Sequence, residues 1–277
     1  MNRITAACLA ALAGFATPSA AQSPQDSAAQ SPQDMVDIRV LPGWQMPDGT
    51  HVAALKFSLA DGWKTYWRAP GDAGIPPRFD WRGSRNLGGV EIVWPTPQQT
   101  TTSGMRTIGY SQDLVLPVRM TPQQADRDIA LDLRLEIGVC KDICMPVEMT
   151  VRADLPPGTR ERDPRIAAAL AERPYTAAEA GVDRVACTLW PLDGGGLRLV
   201  AEVDMPQMGA REWVVVESGT PDLWVAQSET TRHGDRLRAE TEVHHVEGHG
   251  VIIDRSGLRL TVLSTGDAVE IEGCPAG

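Results

Sequence analysis

Leu131-Asp132-Leu133-Arg134-Leu135-Glu136-Ile137-Gly138-Val139-Cys140-Lys141-Asp142-Ile143-Cys144-Met145-Pro146 sets the pattern from which the rest of the chain is read. From Leu131 to Val139 apolar residues recur at every second position, the period of a half-buried strand. A three-residue turn (Lys141, Asp142, Ile143) lets Cys140 and Cys144 face each other across a hairpin. Directly opposed residues have Cα atoms about 4.5–5.5 Å apart, which suits a disulfide with little backbone movement. Pro146 has no N–H to give a sheet ladder and marks an edge or a bulge. The pair therefore belongs at a rim that a partner can reach.

Three uses of such a pair are open: redox exchange, a structural link and a metal site. Loop entropy favours the first, because closing residues 140–144 stabilises by only about 2 kcal/mol. Lys141 favours a thiolate beside it and Asp142 opposes one. Exposed, easily reduced disulfides are the catalytic or regulatory ones.

The chain has 277 residues and a formal net charge of -10. That length fits one large or two modest domains. The acidic balance argues against a nucleic-acid partner, whose phosphates it would repel. At the N-terminus Arg3, the apolar run Ile4–Phe15 and the small residues Ser19-Ala20-Ala21 read as a cleavable signal peptide over 1–21. The run is too short to span a bilayer, and the mature chain is expected to be soluble, exported to the periplasm and not membrane-spanning. Cys8 leaves with the signal. Cys140, Cys144, Cys187 and Cys274 remain, an even set in an exported protein, which implies disulfides. Of the three connectivities, local pairing is simplest: Cys140–Cys144 and Cys187–Cys274. The second bond closes a long loop worth about 4.5 kcal/mol and reads as a structural staple.

Residues 22–34 repeat Ser-Pro-Gln-Asp among Ala and Gln and read as a disordered leader. Residues 35–155 read as all-β, with strands expected at 36–40, 51–59, 90–94, 114–120, 129–139 and 147–153. Pro- and Gly-rich connectors such as Ala69–Pro77 separate them, and short strands with frequent turns suggest a sandwich. Residues 156–180 read as a linker with a short helix, capped by Asp163, with Pro164 at its first position and Pro174 beyond its end. Residues 181–277 form a second β block with strands at 184–190, 197–205, 213–217, 236–243 and 258–263. Asp193-Gly194-Gly195-Gly196 is a hairpin turn in it.

Trp44, Trp63, Tyr66, Trp67, Trp81 and Trp94 crowd the first block; core packing explains them more simply than a ligand platform. His244, His245 and His249 form a cluster, but successive strand positions point to opposite faces and do not readily share a metal. No metal set and no cofactor motif is expected, nor any phosphate loop or nucleophile elbow. Copper is the main rival ligand, since thiolates and thioethers (Met105, Met145) suit Cu(I). A non-catalytic copper-binding or copper-tolerance module is thus the alternative function.

Three motifs stand in order: Gly62-Trp63-Lys64-Thr65-Tyr66-Trp67-Arg68-Ala69-Pro70-Gly71-Asp72, then Gly109-Tyr110-Ser111-Gln112-Asp113-Leu114-Val115-Leu116-Pro117-Val118, then the Cys140/Cys144 hairpin with Met145-Pro146. Together they resemble the N-terminal periplasmic domain of the thiol:disulfide interchange protein DsbD, in the variant found in ScsB and stand-alone relatives. The resemblance covers roughly residues 35–155. It implies an immunoglobulin-like sandwich carrying one redox-active pair, so that the chain reads as two such sandwiches joined by a short helical linker. It further implies a protein-disulfide reductase type of activity. Electrons would come from a thioredoxin-like protein fed by a membrane electron-transfer hub and pass to periplasmic disulfide oxidoreductases. By position Cys144 matches the cysteine that bonds to partners and Cys140 the one that resolves. A cap loop shields the pair in that family, and its counterpart falls within Ser103–Tyr110. There Met105 and Tyr110 either cover the pair or pack as ordinary core. Two features depart from DsbD: three residues separate the cysteines instead of five, and Arg106-Thr107-Ile108-Gly109-Tyr110 replaces its cap sequence.

The two disulfides should differ in lability. In a graded dithiothreitol redox buffer the 140–144 bond is expected to open well before the 187–274 bond, read as alkylated cysteines by peptide mapping. Opening of both at one potential would contradict the assignment.

Overall fold

The computed structural model describes residue 31 and residues 34–102 and 105–277. The expected signal peptide and most of the leader lie outside the described residues, as do Ser103 and Gly104. In chain order the strands are β1 (Val36–Gln45), β2 (His51–Leu59), β3 (Lys64–Gly71), β4 (Arg78–Asp80), β5 (Leu87–Ile92), β6 (Gln98–Thr102), β7 (Met105–Tyr110), β8 (Leu114–Pro122), β9 (Ile129–Cys140) and β10 (Cys144–Leu155). Helix α1 (Pro164–Ala171) follows. The remainder are β11 (Tyr175–Thr176), β12 (Arg184–Pro191), β13 (Leu197–Asp204), β14 (Trp213–Glu217), β15 (Leu223–Val225), β16 (Glu229–His233), β17 (Arg236–His245), β18 (Arg259–Leu263) and β19 (Ala268–Glu272).

Two sheets form the first sandwich. One runs β1-β2-β8-β5, the other β10-β9-β3-β7-β6 with β4 also on β9. Their inward residues, among them Leu55, Trp67, Leu116, Leu133, Leu135 and Ile137, make a single apolar core. Two further sheets, β11-β19-β18-β14 and β12-β13-β17-β15 with β16 on β17, enclose a second core. The fold is all-β, two immunoglobulin-like sandwiches with one short helix between them in the chain. That helix starts where capping chemistry directs: the Asp163 carboxylate accepts from Arg165 N, and Pro164 fills a position that needs no donor. Ile166, fully buried, pins it to Leu41, Trp44, Val52 and Ala54 on the outer face of the first sheet.

Alternation along β14, β18 and β19 explains how the blocks adhere. Val214, Val216, Leu260, Val262, Val269 and Ile271 point into the second core. From the opposite face Trp213, Val215, Leu263 and Ala268 pack on the first core. That face also carries Glu217, Thr261 and Glu270, which surround Arg68 of β3. Arg68 Nε lies 2.9 Å from Glu217 Oε1, and Nη2 lies 2.5 Å from Glu270 Oε2 and 3.4 Å from Thr261 Oγ1. The Arg68 side chain is 16% exposed, and its removal would leave the Glu217 and Glu270 carboxylates without their shared cation.

Several strands were not read from sequence. β3 mixes Lys64, Thr65, Arg68, Pro70 and Gly71 and shows no clean alternation; β6 is a polar run, Gln98–Thr102. β11 lies within the stretch read as linker, yet pairs in parallel with Val269 and Glu270 of β19.

His51, at the start of β2, is 2% exposed, and its Nε2 lies 2.6 Å from Pro42 O. Burial lowers its pKa below the usual imidazole value, against the opposing hydrogen bond to Pro42. The unfolded chain therefore accepts a proton that the fold resists. This contribution to stability is complete above about pH 6.5 and is lost as pH falls below it, by at most about 1.4 kcal/mol per pH unit. Urea unfolding at pH 7.5 and pH 5.5 should show a smaller acid loss for His51→Gln than for the unsubstituted chain. Equal losses would remove His51 from the account.

Candidate functional site

The β9–β10 hairpin sets the site. Its register pairs Cys144 with Cys140, Met145 with Val139 and Pro146 with Gly138. The two cysteine Cα atoms are 4.2 Å apart, the close approach of an antiparallel pair that exchanges no ladder bonds. The sulfurs are bonded. Lys141 N donates to Ile143 O at 3.2 Å to close the turn, and Lys141 Nζ donates to Asp61 O at 3.0 Å to anchor it.

The two cysteines are unequally buried. Cys140 is 1% exposed, whereas Cys144 is exposed, as are Lys141, Asp142 and Ile143. Strand β3 causes the difference. Lys64 pairs with Cys140 and Thr65 with Val139, so the next residue, Tyr66, stands beside Gly138. A Cβ on Gly138 would meet the Tyr66 ring at 2.9 Å, and one on Gly74 would meet its opposite edge, also at 2.9 Å. Two glycines thus leave the slot that the ring fills. Ile75 lies against Gly138 as well. This cover explains why both faces of β9 become buried from Ile137 to Cys140 after regular alternation before it.

Tyr66 is itself 3% exposed, and its hydroxyl lies 2.7 Å from Cys140 Sγ and 3.1 Å from Cys144 Sγ. Burial raises its pKa above the usual phenol value, so at neutral pH it stays protonated and serves as a donor. Thr65 Oγ1 donates to Gly138 O at 2.9 Å and fixes β3 against β9. From its sequence context alone Tyr66 is one more core aromatic. Its signal was present only as Tyr66 within the first motif together with an unexplained glycine at position 138.

Met105 and Tyr110 do not lie over the sulfurs. Thr65 pairs with both Val139 and Tyr110, so Tyr110 shares the core face of the sheet, while Cys140 and Tyr66 share the outer one. Its hydroxyl donates to Pro95 O at 2.8 Å. Met105 begins the same strand, about 17 Å further along at the usual rise, and is 47% exposed. Cys187 and Cys274 are bonded, buried, and tie β12 to the segment after β19. Arg255 Nη1 reinforces that corner by donating to Cys187 O at 2.7 Å. The histidine cluster sits elsewhere, on and after β17. His244 Nε2 contacts Glu242 Oε2 at 3.1 Å, and the His245 and His249 rings are 4.7 Å apart. Among the described residues no group of three or more His, Cys, Asp or Glu side chains converges to hold a metal ion.

A buried cysteine, an exposed cysteine and one hydroxyl donor within reach of both sulfurs form a recognisable arrangement for dithiol chemistry. Residues 37–156 match the family described as thiol:disulfide interchange protein DsbD, N-terminal. The crystal structure of the N-terminal periplasmic domain of ScsB from Proteus mirabilis is similar in fold, with a TM-score of 0.66 and 22% identity over 90% of this chain and 97% of that one. No curated protein sequence matches the chain. The family match coincides with the segment whose ordered motifs resemble DsbD and supports a thiol:disulfide interchange module there. The likeness to the ScsB domain extends the shared fold through the second sandwich. No described helix is long and apolar enough to cross a membrane.

A hydrogen bond to the charged form of an acid favours that form. Tyr66→Phe keeps the ring in its slot and removes the donor. In the reduced protein it should lower the thiolate fraction of the 140/144 pair and slow iodoacetamide alkylation near neutral pH several-fold, with thermal unfolding little changed. An unaltered pH profile of alkylation would show that the hydroxyl does not act on the sulfurs.

Proposed function

We propose that the chain is a periplasmic thiol–disulfide interchange protein that passes electrons through the Cys140/Cys144 pair. Residues 1–21 serve as its cleaved export signal. It receives electrons from a thioredoxin-like protein supplied by a membrane electron-transfer hub and delivers them to periplasmic disulfide oxidoreductases, themselves thioredoxin-like. The reading is carried by the unequal burial of the two cysteines, Cys140 being 1% exposed and Cys144 open at a turn.

In the delivering half-reaction the Cys144 thiolate attacks a partner disulfide. A Cys144–partner bond forms, and the partner's other sulfur leaves as a thiolate. Cys140 then loses its proton and attacks Cys144 Sγ. The Cys140–Cys144 bond forms, the mixed disulfide breaks and the partner leaves with two thiols. Two electrons have moved to the partner. Tyr66 donates to the sulfur carrying negative charge at each stage, since its hydroxyl is within hydrogen-bond reach of both. A buried Cys140 reaches only its neighbour, which suits it to resolution rather than attack. In the receiving half-reaction the same steps run in reverse.

Cys140→Ser should leave a nucleophile that cannot release its partner, so mixed disulfides accumulate on acid-quenched, alkylated non-reducing gels. Cys144→Ser should trap few. Both variants should remain folded, because the lost closure is worth about 2 kcal/mol. Adducts on Cys144→Ser alone would reverse the two roles. Adducts on neither would argue against exchange altogether.

A further inference from the structure

Ile143 stands between the two cysteines with 68% of its surface exposed. Tight turns favour Gly, Asn, Asp and Ser, for which local hydrogen bonding or backbone freedom gives a reason. Nothing in the turn calls for a β-branched apolar side chain. Among the exposed large apolar residues described, which include Met105, Tyr175, Trp190, Trp224, Val246 and Ile252, Ile143 is the one joined in sequence to a cysteine.

The direction from which Cys144 is reached follows from what surrounds it. Cys140 and the Tyr66 hydroxyl close one side. Strand β10 is the outermost strand of its sheet, and the turn 141–143 is exposed, so the open sides are the turn and the free edge. In a mixed disulfide the two sulfurs are about 2.05 Å apart and the two Cα atoms about 4.4–6.8 Å apart. A protein that bonds to Cys144 is thereby brought against the adjacent residue of the turn. The half-buried Met145 and exposed Pro146 continue that surface along β10.

We propose that Ile143 is the specificity-determining contact for protein partners, seated in an apolar depression beside the partner's own reactive cysteine. It favours protein dithiols and disulfides with apolar rims over small thiols, which reach Cys144 Sγ without covering Ile143. This rests on the exchange reading and names the surface by which that exchange selects its partner. With the oxidised chain and a protein dithiol the step is balanced. The partner thiolate attacks Cys144 Sγ, the Cys140–Cys144 bond breaks, and Cys140 leaves as a thiolate that takes up a proton. The partner's second thiolate then attacks its own sulfur in the mixed disulfide and releases Cys144. Two electrons and two protons pass to the chain, and the partner leaves as a disulfide.

The test compares two reductants on the full oxidised chain, reduced thioredoxin as the protein dithiol and dithiothreitol as the small one. Opening of the 140–144 bond is followed by quenched alkylation and peptide mapping. Ile143→Ser is expected to slow reduction by thioredoxin about tenfold, a larger effect than truncation of most interface residues produces, while the dithiothreitol rate stays within about twofold. Ile143→Leu is expected to restore the thioredoxin rate. An unchanged thioredoxin rate in Ile143→Ser overturns the proposal, and so does equal slowing with both reductants, which would place the effect on Cys144 itself. If dithiothreitol opens the bond in the unsubstituted chain and thioredoxin does not, the partner class is wrong while the exchange chemistry stands. If neither opens it, the exchange reading fails and this proposal with it.

Discussion

The register among β10, β9 and β3 is the constraint on which the site depends. It is one continuous row: Cys144 opposite Cys140, and Cys140 opposite Lys64. Because side chains alternate between faces with a period of two, a slip of one residue would turn every member of the row to the other face. Cys140 would enter the apolar core in place of Val139, and Tyr66 would leave the sulfurs. Thr65 Oγ1 bonded to Gly138 O holds the register on the β3 side, and the long β9–β10 ladder holds it on the other.

That row also explains how a short disulfide can be both accessible and controlled. A bond across a tight hairpin contributes little stability, so it can open without unfolding its surroundings. The Tyr66 hydroxyl reaches both sulfurs, while the Cys140 residue is buried and the Cys144 residue is exposed at the turn. Cover comes from the segment between β3 and β4, with Gly74 and Ile75 against Tyr66 and Gly138. Thr65 facing Tyr110 puts Tyr110 on the wrong face of the sheet to cover a sulfur.

β3 also links the Cys140–Cys144 pair to the second sandwich. Tyr66 meets the sulfurs, Trp67 is fully buried in the first core, and Arg68 is held by Glu217 and Glu270 of the second block. Trp213, Val215, Leu263 and Ala268 add apolar contact around that ion cluster. The second block therefore stabilises the strand that shapes the site, although none of its described residues has a hydrogen bond to the sulfur of Cys140 or Cys144.

By itself the sequence determined the β class, the hairpin that brings Cys140 to Cys144, and the capped helix after Pro157. Each follows from local chemistry: a period of two in side-chain polarity, a three-residue turn, and Asp163 before Pro164. Pairing of Cys187 with Cys274 was legible as well, because both ends of one β block carried a cysteine. The ordered motifs around Gly62, Gly109 and Cys140 carried the family resemblance. Only the tertiary structure decided which cysteine is buried, that Tyr66 touches both sulfurs, and that Met105 and Tyr110 stand away from them. These outcomes depend on which strands lie side by side and in what register. Tyr66 and Gly138 are far apart in the chain, and nothing in the local pattern of either says that one was left small for the other.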